Sequence, residues 1–172
     1  MTGEVSRMHS LHPGLILIVT GILAFVLPQK MRQIAALAGP VFALWAVWML
    51  EPGSGIEFAF TRGITMELLH VDMLAKAFGL IFCIIALLAG IYSFDAADKS
   101  EKAAALIYAG SSLGVVFAGD WISLICFWEV MAVASWYLVW KDTEGETGFL
   151  PLSFDALFRW QYAADWSYYL MC

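Results

Sequence analysis

Apolar residues run through this chain in long blocks, and most charged residues lie in the gaps between them. The blocks cover residues 13–28, 33–50, 71–94, 103–118 and 120–140. A helix rises about 1.5 Å per residue, so about 20 apolar residues match the roughly 30 Å hydrocarbon core of a bilayer. The pattern predicts an all-α integral membrane protein with about five transmembrane helices, forming a membrane domain over residues 1–141. Pro13 suits the first turn of the first helix and Pro28 its exit. In the second block Ala35, Gly39 and Ala43 recur every fourth residue, a spacing that lets helices approach closely, and Pro40 is expected to kink the helix.

One stretch breaks the pattern. Residues 51–55, EPGSG, have turn chemistry, and GIEFAFTRGITMELLH over 55–70 alternates apolar with polar. This predicts a small extramembrane β-hairpin between helices two and three. The third block opens with Asp72, and acids favour helix N-termini. Lys76 follows at i+4, where the two can form an interfacial salt bridge. Residues 95–102, DAADKSEK, read as a charged connector. In the fourth block Gly110 and Gly114 make a G-x-x-x-G packing face, flanked by Ser111 and Ser112. The two serines either pack or help line a polar path.

Gly119-Asp120 turns the chain into the fifth block, DWISLICFWEVMAVASWYLVW, an apolar run with Glu129 near its middle. Residues 142–148 read as a polar linker. The tail, 149–172, is aromatic but carries Asp155, Arg159 and Asp165, which is too polar for a span and suits an interfacial helix. The start resembles a secretory leader but lacks a small-x-small cleavage site, and a second apolar run follows at once, so it is read as a first span. Basic residues set the orientation. Lys30, Arg32, Lys99, Lys102, Lys141 and Arg159 fall on one side and only Arg7 and Arg62 on the other. The positive-inside rule then puts the N-terminus outside and the C-terminus in the cytoplasm.

Composition agrees with a bilayer environment. The chain is 62% hydrophobic and 14% charged, against about 45–50% apolar and about 25% charged in soluble domains. Its mean hydropathy is +0.78. A net charge of −6 argues against nucleic-acid binding. Cys83, Cys126 and Cys172 are far apart and show no metal-ligand spacing. His9, His12 and His70 sit outside or at the ends of the blocks, as interfacial residues rather than ligands. No phosphate-binding loop, dinucleotide fingerprint, nucleophile elbow, haem or iron–sulfur motif occurs, so no cofactor and no metal is expected.

Glu129 is the residue with chemistry to offer. A carboxylate at the bilayer centre costs roughly 2.5 kcal/mol or more, so such a residue usually faces a protein interior or a wet cavity. Desolvation disfavours the charged form of a carboxyl and a nearby cation restores it, which suits a group that passes protons. Its face of the helix holds Ile122, Ile125, Cys126, Ala132, Val133 and Trp136, none of which can neutralise it. The plain alternative is a permanently protonated glutamic acid bonded to a carbonyl or a serine.

VDMLAKAFGLIF at 71–82, KAAALIYAGSSLGVVFAGD at 102–120 and FWEVMAVASWYLVW at 127–140 resemble the antiporter-like proton-translocating subunits. The likeness is strongest to the D-type subunits of Mrp-type multisubunit sodium/proton antiporters. That family is similar to the proton-pumping membrane subunits of respiratory complex I (NADH-quinone oxidoreductase) and of membrane-bound hydrogenases. The likeness runs over residues 13–141 and is densest from Val71 to Trp140. The resemblance implies an ion-transport subunit of a prokaryotic inner membrane, without a redox centre of its own, whose partners are other subunits, lipid, protons and sodium. If the assembly is of the respiratory kind, the chain belongs to a redox-driven translocase. Glu129 matches the conduction-site glutamate of the family's fifth helix. Its family partner is a lysine on a broken seventh helix, which this chain does not contain. Lys76 belongs to the third-helix motif and is not its equivalent. The likeness fades near Glu146, so the chain corresponds to the N-terminal portion of such a protein, and 149–172 is alternatively an out-of-frame tail.

Overall fold

The computed structural model describes residues 12–61, 64–94 and 98–142. The expected linker beyond Asp142 and the tail at 149–172 lie outside the described residues. The chain forms α1 (Pro13–Val26), α2 (Gln29–Met49), β1 (Gly55–Thr61), β2 (Ile64–His70), α3 (Met73–Tyr92), α4 (Lys99–Phe117) and α5 (Trp121–Asp142).

Each helix start is explained by a local signal. Pro28 holds φ at −64° as the N-cap of α2, so the helix begins at Gln29 and takes in residues 29–32, the gap between the first two apolar blocks. The helix runs through Pro40, which lacks the N–H that would otherwise bond to the Ala36 carbonyl. At α4 the Glu101 carboxylate accepts the Asp98 N–H at 3.0 Å, one half of a capping box. This draws Lys99–Lys102 into the helix, four residues earlier than the hydrophobic pattern alone indicates. Asp120 caps α5: its Oδ1 accepts the Ser123 N–H at 2.7 Å, and its Oδ2 accepts the Ser123 hydroxyl at 3.1 Å.

The hairpin falls where the alternating pattern put it. β1 and β2 pair antiparallel from Gly55↔His70 to Thr61↔Ile64, with irregularities after Ile56 and Ala59. Gly53 turns the chain with φ of +90°, a conformation that favours glycine.

Among the described residues, three helical stretches are long and apolar enough to cross a membrane: Gln29–Met49, Met73–Tyr92 and Trp121–Trp140. Five such helices were expected. α1 has 14 residues, a rise of about 21 Å, and α4 spends its first turn on Lys99, Glu101 and Lys102. Both still belong to the helical core. α1 packs against α2 and α4, and α3 packs against α2 and α4, so the four close a ring. Leu17 and Ala24 of α1, Ala43 and Val47 of α2, Cys83 of α3, and Leu113 and Phe117 of α4 are fully buried within it.

Small residues set the spacing in this ring. A Cβ on Gly39 would lie 2.8 Å from Thr20, and one on Gly79 would lie 2.6 Å from the Phe117 ring. The buried edge of α2 runs through Ala36, Gly39, Pro40 and Ala43, not through Ala35 as the every-fourth-residue count suggested. The outward faces carry large apolar side chains such as Trp45, Trp48, Ile85 and Leu88, all more than half exposed. Surface of this kind favours lipid contact.

The chain divides into two units, Met1–Ser135 and Trp136–Cys172. In the second, Trp136 and Trp140 stack with centroids 5.3 Å apart, and Tyr137 meets Trp140 edge-on at 6.1 Å.

Candidate functional site

The packed side of α5 is defined by its small and apolar contacts. Ser123, Phe127 and Ala134 are buried, and the Met131 sulfur receives the Ser112 hydroxyl at 3.3 Å. The spacing i, i+4, i+8, i+11 traces one stripe. At about 100° per residue, Glu129 lies roughly 200° around the helix from Phe127. It therefore sits on the far side from the stripe that meets α4. Its neighbours there, Ile122, Ile125 and Val133, are 46%, 49% and 57% exposed, and Cys126 is exposed as well. Glu129 itself is half-buried. Eight residues separate it from Trp121, an axial distance of about 12 Å. Among the described residues it makes no hydrogen bond or ion pair.

The other candidate residues have structural partners. Asp72 and Lys76 do not pair. The Asp72 carboxylate caps α3 by accepting the Ala75 N–H, while Lys76 Nζ donates to the Leu50 carbonyl at 2.7 Å. That carbonyl follows the C-terminus of α2, where the unpaired carbonyls and the helix dipole attract a cation. Capping α3 and closing α2 use both groups, which explains the missing salt bridge.

Ser111 and Ser112 are buried, and their hydroxyls turn back into α4. Ser111 donates within reach of Ile107 O (2.7 Å) and Tyr108 O (3.0 Å), and Ser112 reaches Tyr108 O at 2.8 Å. This is the intrahelical bonding common for mid-helix serines, with Ser112 also within reach of the Met131 sulfur of α5. Gly110 and Gly114 serve packing, and each faces a different neighbour. A Cβ on Gly110 would meet Gly14 O of α1 at 2.7 Å, and one on Gly114 would meet the Phe127 ring of α5 at 2.2 Å.

A polar junction at the hairpin end was not anticipated. The Glu67 backbone N–H donates to Asp120 Oδ2, and the Gly119 N–H donates to Glu67 O at 3.0 Å. Burial pushes the Asp120 carboxyl upward, but the hydrogen bonds from Ser123 and Glu67 outweigh it, and the group is held below the usual carboxylate range. His70 Nδ1 and Glu67 Oε1 are 2.8 Å apart.

His12 completes the junction. Its Nδ1 accepts the Gly14 N–H at 3.1 Å, and its Nε2 lies 3.0 Å from Leu68 O. A carbonyl can only accept, so Nε2 carries the proton and the ring is neutral. The ring stacks on Phe127 at 5.3 Å. Burial lowers the imidazole's proton affinity, against smaller opposing contributions from the Leu68 and His12 backbone. The sequence did hold a signal: a proline at the first helical position marks the residue before it as the N-cap. Asp120-x-x-Ser123 marks the α5 cap in the same way.

Among the described residues, no three His, Cys, Asp or Glu side chains gather as a metal site. No protein-family model matches this chain, and comparison with curated proteins and with solved structures finds no match either.

Proposed function

We propose that this chain is an ion-translocating membrane subunit of a multisubunit cation/proton antiporter, in which Glu129 carries protons. The observation behind the proposal is one position. A single carboxylate lies near the middle of an apolar stretch of 20 residues, on the face of α5 turned away from the α4 contact. A group so placed has its counter-charge supplied from outside the α1–α4 ring, by another helix, another subunit or water. The resemblance over 71–140 to antiporter-like proteins points the same way.

In this reading all five helices cross the bilayer, with the N-terminus outside and the C-terminus cytoplasmic. α1 and α4 are drawn in by their packing against α2 and α3. Lys30 and Arg32 at the start of α2, and Lys99 and Lys102 at the start of α4, occupy the cytoplasmic edge. Lys99 lies 5.1 Å over the Phe25 ring, and Lys102 Nζ donates to Phe94 O at 2.5 Å, so both charges stay at that end.

The test is proton flux in vesicles containing the chain assembled with its partner subunits, driven by a sodium gradient and read with a pH-sensitive dye. Glu129→Gln keeps the shape and removes the exchangeable charge. Flux is expected to fall about 100-fold, in line with the loss of a positioned proton-transfer group, with assembly unchanged. Undiminished flux in the variant refutes the role of Glu129.

A further inference from the structure

The groups around His12 make a connection that one proton would break. His12 joins three elements distant in sequence: α1 through the Gly14 N–H, β2 through Leu68 O, and α5 through the Phe127 ring. It is only 5% exposed. Both ring nitrogens are committed, one as acceptor and one as donor, so the site accommodates the neutral Nε2–H form alone.

A second proton would go to Nδ1. It would set an N–H against the Gly14 N–H, place a cation in a buried position, and put that cation at the positive N-terminal end of α1. All three effects act in the same direction.

Among the described residues, the surrounding ionisable groups do not offset this. On β2 the flanking groups are Glu67 and His70, which pair with each other. At the α4–α5 turn Asp120 is occupied by the Glu67 and Ser123 donors. α4 presents the backbone of Gly110 and Gly114, and α5 presents the Phe127 ring. Asp72 at the start of α3 caps its own helix.

We propose that His12 is a proton-operated latch: neutral, it ties the β-hairpin to the N-terminus of α1 and to α5; protonated, it leaves its site and frees that corner of the fold. The Glu67 clasp on Gly119 and Asp120 then acts as the hinge. The latch stands on the geometry of this helix end and is independent of the role assigned to Glu129.

The experiment is amide hydrogen exchange by NMR on the full chain in lipid nanodiscs between pH 7.5 and 5.5, corrected for intrinsic chemistry. Gly14 and Leu68–Val71 are expected to lose protection several-fold as the pH falls. One bound proton sets a ceiling of about 100-fold over two pH units. His12→Asn supplies a side-chain oxygen for the Gly14 N–H and cannot titrate, so its Gly14 protection is expected to stay flat. His70→Asn is expected to keep the wild-type response. A pH-independent wild type, a His12→Asn variant that responds like wild type, or a response abolished by His70→Asn overturns the latch. The ¹⁵N signals of His12 in the wild type provide a check that needs no variant. Nδ1 should be unprotonated at pH 7.5, and its titration should coincide with the loss of Gly14 protection. A protonated Nδ1 at pH 7.5, or a titration that does not track the exchange, refutes the latch equally.

Discussion

Asp120 offers the sharpest test of how the hairpin end is held. Asp120→Ala removes two things at once. The α5 N-cap loses its acceptor for the Ser123 N–H, a change that costs about 1 kcal/mol. The Glu67 N–H also loses Asp120 Oδ2. Because Glu67 is half-buried, the low end of the penalty for an unpaired donor applies, again about 1 kcal/mol. Together these give about 2 kcal/mol, close to a 30-fold change in the unfolding equilibrium. Asp120→Asn separates the two. Its single amide oxygen can cap α5 or accept from Glu67 but not both, so it should cost about half as much. The assay is equilibrium unfolding in mixed detergent micelles, followed by circular dichroism. The pH dependence has a definite sign. The folded carboxyl is held below its ordinary value, so its contribution is complete above the ordinary carboxylate range and is lost as pH falls through the folded value. The gap between wild type and Asp120→Ala should be constant from pH 7 to 5 and shrink below about pH 4. A loss under about 0.5 kcal/mol, equal effects of Ala and Asn, or a gap that widens in acid would refute this account.

Three further substitutions probe α4. Gly114→Ala would place a Cβ 2.2 Å from the Phe127 ring, and restoring a normal contact needs a shift of roughly 1.3 Å. Overpacking of this kind costs about 1–3 kcal/mol against about 1 kcal/mol gained in helix propensity, so a net loss is expected in the same unfolding assay, and a gain would show that α5 does not pack there. Ser111→Ala and Ser112→Ala remove hydroxyls that bond only within α4 and to Met131 among the described residues; stability should change by less than about 1 kcal/mol with proton flux intact, and a fall in flux would place the serines on an ion path.

Much of the architecture was legible because bilayer-scale hydrophobic blocks and period-two alternation are strong local signals. Helices form at each of the five apolar blocks and the hairpin falls where the alternation put it, but among the described residues three of the helices, not five, are long and apolar enough to span. The boundaries moved where a cap overrode hydrophobicity, as Pro28 does for α2 and Asp98 with Glu101 for α4. Pairing was less legible. Asp72 and Lys76 have the spacing of an ion pair, but a helix N-terminus and the C-terminal carbonyl of another helix compete for them. Spacing along one helix cannot show what a neighbouring helix end offers. The spacing of Gly110 and Gly114 marks a packing pair, but their division between α1 and α5 depends on tertiary placement. A mid-span carboxylate is expected to face an interior or a wet cavity, whereas Glu129 is half-buried among exposed apolar side chains on one side of α5. What the sequence did not indicate was that α4 would take the opposite stripe.

The Glu67 clasp also bears on the order in which the chain is assembled. The hairpin is made between α2 and α3, yet its partner at Asp120 comes 53 residues later. During synthesis, once α2 and α3 have been made, the hairpin has His12 behind it and nothing yet ahead. Only when the α4–α5 turn emerges can Gly119 and Asp120 grip the Glu67 backbone from both sides. Formation of the α4–α5 turn is therefore also the step that fastens a segment laid down two helices earlier. A ribosome stalled before Asp120 would hold a nascent chain whose hairpin remains open to proteases and chaperones.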